Sequence, residues 1–337
     1  MNFPHSNSRN VRDQADPGSF SPPVLMLAMV FIIAFIGGTV AYSYFFPRTP
    51  TPFRIGMVRW IGNDVLILAQ ESGYFKDSAV QLVTYPSAEE VIRAFQDRTI
   101  DAASVTGDEV LRLLAHRQEP KVFLVLDYSN GADGIVARPP IQSVAELKNK
   151  RVAVEASAVG AYLLARALNL AGLKESDVTV VPELLVEHVR SYLEGKVDAV
   201  VAFEPDLSAL TRLGAQTVFS SDKIPREIFD VLVTREQNLK EQTEAITTIR
   251  AAWQRAVRDI REQPVSSFER LAGYYRTDPE EFSRAMKKIE IPDVDQSHAL
   301  LGGNSETLVQ GLKRLSEVMK RFGLLITEID PSGVVAP

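Results

Sequence analysis

Histidine and cysteine, the residue types that most often carry metal or nucleophilic chemistry, are scarce in this chain. Four histidines (His5, His116, His188 and His298) are scattered through 337 residues, and there is no cysteine. No two histidines have the H-x-x-x-H spacing of a helix-borne metal site. The missing thiol removes disulfides, thiolate catalysis, cysteine-ligated zinc, iron–sulfur clusters and lipid attachment through sulfur. The acidic pairs Glu89-Glu90 and Glu280-Glu281 sit where helix first turns are expected. The helix dipole favours carboxylates there without any catalytic role. Asp293 and Asp295 lie in IPDVDQS, which lacks the further acids and the glycine of a calcium loop. No phosphate loop, dinucleotide fingerprint or nucleophile elbow occurs. The reading is a binding protein without metal or cofactor, not an enzyme.

The elements that must position any site alternate between strand and helix. Apolar runs at Phe53–Val58, Val80–Tyr85, Ala102–Thr106, Lys121–Tyr128 and Gly134–Arg138 suit buried strands. Ser87-Ala-Glu-Glu90 and Thr106-Gly-Asp-Glu109 are capping boxes that open the helices between them. The pattern restarts with strands at Arg151–Glu155, Val178–Pro182, Val197–Phe203 and Asp230–Thr234. Helices are expected at Ala158–Ala171 and Glu187–Glu194, and after Pro205. From Arg235 the chain reads as helical, with Leu308, Leu312, Leu315 and Met319 on one stripe. This alternation implies two α/β blocks with open, mostly parallel sheets. Ligands in such sheets bind outside the carboxyl ends of strands. The loops to watch are therefore 59–64, 86–87, 106–108, 128–133, 155–160 and 204–205.

Residues 1–23 are polar and irregular. The 23-residue run Val24–Phe46 that follows carries no charge. It is long enough to span a hydrocarbon core, which needs ~20 apolar residues. Tyr42, Tyr44, Phe45 and Phe46 resemble an interfacial aromatic belt. Ala41-Tyr42-Ser43 also offers a cleavage pattern, but signal-peptide cores run ~7–15 residues. An uncleaved, single-pass anchor is the expectation, although the flanking charges do not set its orientation. The Pro-rich linker at 47–52 reads as an extended stalk. The net charge of -6 argues against a nucleic-acid partner.

Five phrases, taken in order, carry a family resemblance. They are Trp60-Ile-Gly-Asn-Asp64 with Ala69-Gln-Glu-Ser-Gly-Tyr-Phe75, Phe95-Gln-Asp-Arg-Thr-Ile-Asp-Ala102, and Gly131-Ala-Asp-Gly-Ile-Val136. Then come Val144–Val154 with Tyr162–Leu168 and Ala171-Gly-Leu173, and finally Gly195–Pro205. Together they resemble solute-binding proteins of ABC importers for nitrate, sulfonates, taurine and thiamine-type pyrimidines. That group has the two-lobed type 2 periplasmic-binding fold. The resemblance covers about 53–235. Arg98 or Thr99 stands where the family often has glycine. It implies one lobe from 53–137 plus 230–337 and a second from 138–229. It also implies an ABC permease and ATPase as partners, and a binding domain outside the cytoplasm at the cell membrane.

The resemblance places site candidates on the strand-end loops. Trp60 follows the first strand and is either a flat ligand wall or a core residue, with Gly62 allowing a close turn behind it. Asn63 and Asp64 share its loop. Ser157, Val159 and Gly160 precede or open a helix whose free N–H groups could hold an anion or merely be capped. Glu204 either meets ligand or caps the next helix. Ser87 and Thr106 cap helices and can also face ligand; Asp133 and Tyr128 complete the set. A sulfonate or nitrate receptor needs basic groups here, yet only Arg59 and Arg138 are near. Asp64, Asp108, Asp133, Glu155 and Glu204 are acidic, which favours a cation or a nitrogen heterocycle. The alternatives are a membrane-tethered sensor or adaptor, or a synthase-like enzyme. The missing cysteine argues against the last.

Overall fold

The structure, a computed structural model, describes residues 26–27, 29–35, 52–155, 158–275, 278–302 and 305–336. Residues 26–27 and 29–35 are helical, and Met26, Phe31 and Phe35 are exposed. The rest of the apolar run 24–46 lies outside the described residues, as do Ser157 and most of the expected linker. No helix among the described residues is long and apolar enough to cross a membrane.

The unit from Pro52 onward is built on two sheets. Its first part runs β1 (Phe53–Met57), α1 (Asp64–Glu71), β2 (Val80–Thr84), α2 (Ala88–Gln96), β3 (Ala102–Thr106), α3 (Gly107–Ala115) and β4 (Lys121–Ser129). Its middle part runs β5 (Asp133–Ala137), β6 (Arg151–Val154), α4 (Ala158–Leu170), β7 (Thr179–Pro182), α5 (Leu185–Leu193), β8 (Ala199–Phe203), α6 (Asp206–Arg212) and β9 (Gln216–Ser220). The chain then returns through β10 (Phe229–Thr234), α7 (Glu236–Glu241), α8 (Thr243–Glu262) and α9 (Pro264–Tyr275). It ends with α10 (Pro279–Met286), β11 (Ile289–Glu290), α11 (Val294–Leu301) and α12 (Ser305–Arg321).

The first sheet has the order β11-β4-β10-β3-β1-β2, and the second β7-β6-β8-β5-β9. Within them β1 is parallel to β2 and β3, and β6 is parallel to β7 and β8. The strands next to each chain crossing, β10 and β5, run antiparallel to their neighbours. The capping signals act as read: the Ser87 hydroxyl accepts from the Glu90 N–H at 3.3 Å, and the Glu109 carboxylate accepts from the Thr106 N–H at 2.9 Å. The stripe Leu308, Leu312, Leu315 and Met319 is buried, and α12 packs on α3. Trp253 on α8 is fully buried, in the helix layer that covers α1. The helical tail therefore returns to the first sheet.

Two details differ from the sequence reading. The spacing places β5 with the first block, yet it pairs with β8 and β9 in the second sheet. The first crossing thus falls at 130–132 rather than near 137. A buried apolar strand reads the same whichever sheet takes it, and the difference is made by close packing. A Cβ on Gly134 would sit 3.0 Å from the Phe219 carbonyl oxygen of β9. The second detail is that β9 and the two-residue β11 carry too little apolar pattern to be read as strands.

The two crossings are tied together by buried hydroxyls. Ser129 at the end of β4 and Ser221 just after β9 are both inaccessible to solvent, with their hydroxyl oxygens 2.7 Å apart. The Ser221 hydroxyl also accepts from the Gly131 N–H at 2.7 Å, and the Ser129 hydroxyl accepts from the Asp133 N–H at 3.2 Å. Gly131 has φ of 105°, a conformation few side chains tolerate, so the turn between the sheets needs glycine. Removing one partner from a buried hydrogen-bonded group costs ~1–3 kcal/mol. Ser221→Ala is therefore expected to lower unfolding free energy by about that much in a denaturant titration. Ser220→Ala, at the end of β9, where the hydroxyl donates only to the exposed Asp222, should cost less, under ~1 kcal/mol.

Candidate functional site

The carboxyl ends of the parallel strands from both sheets converge on one cavity of about 260 Å³. The first sheet contributes Trp60 and Asn63 after β1, Tyr85 after β2, and Thr106 and Glu109 after β3. The second contributes Glu155 after β6, Val186 and His188 on α5, and Phe203 and Glu204 at the end of β8. Asp133 and Asp230 enter from the antiparallel strands β5 and β10.

Trp60 is both wall and core. It lines the cavity, is only 7% exposed, and belongs to the same buried apolar cluster as Met57, Ile61 and Leu66. Its indole N–H donates to Asp127 at 3.2 Å. Gly62 permits this pairing, because a Cβ there would lie 1.8 Å from the Asp127 Oδ2 atom. Asn63 is fixed by donating to the Val58 carbonyl at 3.0 Å and accepting from the Ser104 hydroxyl at 2.6 Å. Thr106, Asp133, Val159 and Glu204 also line the cavity. The Glu204 carboxylate accepts from the Ser208 hydroxyl at 2.8 Å and pairs with Lys288, so it caps α6 and links the two halves as well.

The other candidates lie elsewhere. Asp64 opens α1 and faces a neighbouring hollow with Arg212 and Glu281, because successive helix positions point about 100° apart. Ser87 turns its hydroxyl to the α2 N-terminus, while Pro86 and Ala88 line the cavity. Tyr128 packs on Phe229 at 5.9 Å and borders a different hollow with Glu290. Gly160 serves close packing, since a Cβ there would meet the Val154 side chain at 3.3 Å. Arg138 stands at a separate surface hollow beside Glu146 and Asp198.

Among the residues that the sequence reading passed over, in and next to the cavity, are three acids: Glu109 and Asp230 line it, and Asp127 is paired with the lining Trp60. Glu109 read as a cap, and Asp127 and Asp230 sit inside strands. Their signal was present: an aspartate within an apolar strand is a buried charge that needs a reason. Burial pushes the carboxyl groups up to about 6 for Asp108, about 8 for Glu109, and about 7 for both Asp127 and Asp133. Mutual repulsion adds to burial for Glu109, Asp127 and Asp133. Asp230 is raised by burial first, and then by the charges of Asp127 and Asp133. His188, 1% exposed, has its pKa lowered by burial. Among the lining residues Arg59 is the one lysine or arginine, and it lies beside Asp206, whose carboxyl its charge lowers against the effect of burial. No group of three or more His, Asp or Glu side chains among the described residues is arranged to hold a metal ion.

Residues 64–267 match the family described as NMT1/THI5 like, more than half of the chain. The chain belongs to that family. It is similar to a protein of Escherichia coli (strain K12) named as an aliphatic sulfonates-binding protein, with 26% identity over 185 residues. That match covers 50% of this chain and spans about half (54%) of the relative's length. The taurine-binding periplasmic protein of the same organism is 23% identical over 66% of this chain and 67% of its own. In architecture, the family member resembles the alkanesulfonate-binding protein SsuA of Xanthomonas axonopodis pv. citri bound to MOPS, with a TM-score of 0.73. Identity there is 17%, over 85% of this chain and 98% of that one. The desulfurization enzyme DSZB is similar too, with a TM-score of 0.63, 16% identity and coverage of 84% and 96%. These likenesses establish the two-sheet periplasmic-binding-protein fold.

The raised carboxyls set a pH dependence with a definite sign. A carboxyl whose folded pKa exceeds its unfolded value keeps a proton that the unfolded chain gives up. Its contribution is complete below the unfolded value near 4 and is lost as pH rises through the folded values of about 6 to 8. The melting temperature should therefore fall between about pH 5 and about pH 8. Asp230→Asn should raise it at about pH 8 by a few degrees, which corresponds to ~1 kcal/mol for a chain of this size, and should flatten the slope. Differential scanning calorimetry across pH measures both.

Proposed function

We propose that the protein is the solute-binding component of an ABC importer, placed outside the cytoplasm, taking up a small organic molecule. The observation that carries this is the cavity at the convergence of strand ends from both sheets, in a fold shared with sulfonate- and taurine-binding relatives. The two halves are linked by the crossings at 130–132 and 221–228 and by surface contacts such as Arg212–Glu281 at 2.7 Å. That exposed pair is worth little, while the Glu204–Lys288 pair, buried on its carboxylate side, is the stronger link; the halves would open by rotation about the crossings as that pair parts, and close on a ligand. Apolar walls from Trp60, Tyr85, Val159 and Phe203 would hold the ligand's body, and the polar groups at the strand ends would orient it. The apolar run 24–46 would hold the protein at a membrane, within reach of a permease.

A thermal-shift screen of the full chain against small organic solutes tests the reading. A ligand at 100 times its Kd stabilises the folded state by ~2.7 kcal/mol. X-ray scattering should then show a smaller radius of gyration with that ligand; no compaction at saturation would remove the clamp from the proposal. Trp60→Ala should weaken binding at least ~tenfold, the loss of ~1.4 kcal/mol of aromatic contact. It should also lower stability, because it opens a core site and strips Asp127 of its donor. Trp253→Phe should lower stability and leave affinity unchanged.

The tether has its own test. The chain is expected in the membrane fraction, released by detergent but not by high salt. N-terminal sequencing that starts at Tyr44 would show that the run is cleaved instead.

A further inference from the structure

The charge of the ligand is written in the cavity's polar groups. Glu109 and Asp133 line it, each 3% exposed. In each, one carboxylate oxygen has no hydrogen-bond partner in the protein: Oε1 of Glu109 and Oδ2 of Asp133. The opposite oxygen of Glu109 is held by the Thr106 N–H at 2.9 Å, which fixes the carboxylate in place. Glu155 and Asp230 add two more acids to the same wall, and both are buried.

An anion would find little to hold it here. The N-terminus of α3 opens on the cavity, but the chain's own Glu109 carboxylate already caps it. Glu155 lies just before α4, in the field of that helix's N-terminus. Lys288 is engaged by Glu204, and Arg59 stands beside Asp206. The Arg112 charge lowers the carboxyls of Asp108 and Glu109 against burial, and its guanidinium pairs with Glu89 at 3.1 Å. A buried carboxylate with an unmade hydrogen bond is costly, and a positively charged donor placed between two of them removes that cost for both.

We propose that the cavity takes a small organic cation, whose ammonium, amidinium or guanidinium N–H groups donate to Glu109 and Asp133 while its apolar part stacks on Trp60 and Tyr85. This rests on the solute-binding reading and narrows it. The described residues offer no metal-binding cluster, which points to an organic cation. The volume of about 260 Å³ limits it to a small one.

The groups around these two acids also give the binding a pH signature. Asp108, Glu155, Asp230 and Arg112 act on Glu109, while Asp108, Asp127, Asp230, Glu204 and the Ser129 hydroxyl act on Asp133. Both carboxyls titrate at about 7 to about 8 without ligand. A cation favours their ionised forms, so it should bind with release of protons and bind more tightly as pH rises from about 6 to about 8. A sulfonate would do the reverse.

The test is calorimetric titration of the purified full chain in detergent. The cationic probes are agmatine, benzamidine and choline; the anionic probes are ethanesulfonate and methanesulfonate. The expected result is binding of at least one cation, no binding of the sulfonates, and proton release detected by comparing buffers of different ionisation enthalpy. Asp133→Asn and Glu109→Gln should each weaken the cation at least ~tenfold. Without ligand, each should melt no lower than the parent at about pH 8, since each removes a buried like charge. Binding of a sulfonate without any cation would overturn this proposal and leave the solute-binding reading standing. Cation binding that survives both substitutions would also overturn it. Failure of every probe, with no compaction in scattering, would overturn both.

Discussion

A carboxylate taken out of water must find a cation, accept hydrogen bonds or keep its proton, and in this protein several face that choice in and around one cleft. Asp108, Glu109, Asp127, Asp133 and Asp230 are all at most 6% exposed. The surrounding structure is arranged around them. The Trp60 indole donates to Asp127, Gly62 leaves room for that bond, the Thr106 amide holds Glu109, and β10 brings Asp230 into the group. None of these acids contributes to an apolar core, and their mutual repulsion opposes folding above neutral pH. Natural sequences retain such groups where function needs them, which is why the cleft and not the larger apolar layers identifies the site.

The second constraint is mechanical. Two sheets joined by two short crossings can move as bodies only if the crossings hold together while the cleft opens. The Ser129–Ser221 hydroxyl pair sits between the crossings, sealed from water, and also satisfies the Gly131 and Asp133 N–H groups. Asp133 therefore stands within four residues of the pivot and on the cavity wall at once. On the far side, α4 is anchored to the second crossing, where Arg166 donates twice to Glu227 at 2.7 and 2.8 Å and Tyr162 donates at 2.6 Å. Cavity lining and crossing are thus built from neighbouring residues, and short segments join the cavity wall to the turn between the sheets.

The comparisons fix the fold and leave its contents open. One architecture serves proteins named for alkanesulfonates and an enzyme of desulfurization. Such a scaffold separates the sheets, which carry stability, from the strand-end loops, which carry chemistry. In this chain Glu155 and Glu204 directly follow β6 and β8, and Glu109 stands in the first turn of the helix after β3, so all three acids sit at strand ends on the cavity wall.

The strand–helix alternation, the capping boxes and the two-block organisation were legible in the sequence because they depend on local periodicity and on residues three or four apart. The strand-end rule marked Trp60, Asn63, Thr106, Asp133, Val159 and Glu204, which line the cavity, and equally marked Asp64, Ser87, Tyr128 and Gly160, which do not. The sheet to which β5 belongs was not legible, since Asp133–Ala137 is apolar enough for either and only its fit against β8 and β9 decides. Nor was the grouping of Glu109, Asp127, Asp133 and Asp230, which are spread over more than a hundred residues of chain. Each alone reads as a cap or a stray charge. The tertiary fold brings them together out of water, and their interaction depends on distance and desolvation, which sequence spacing does not encode.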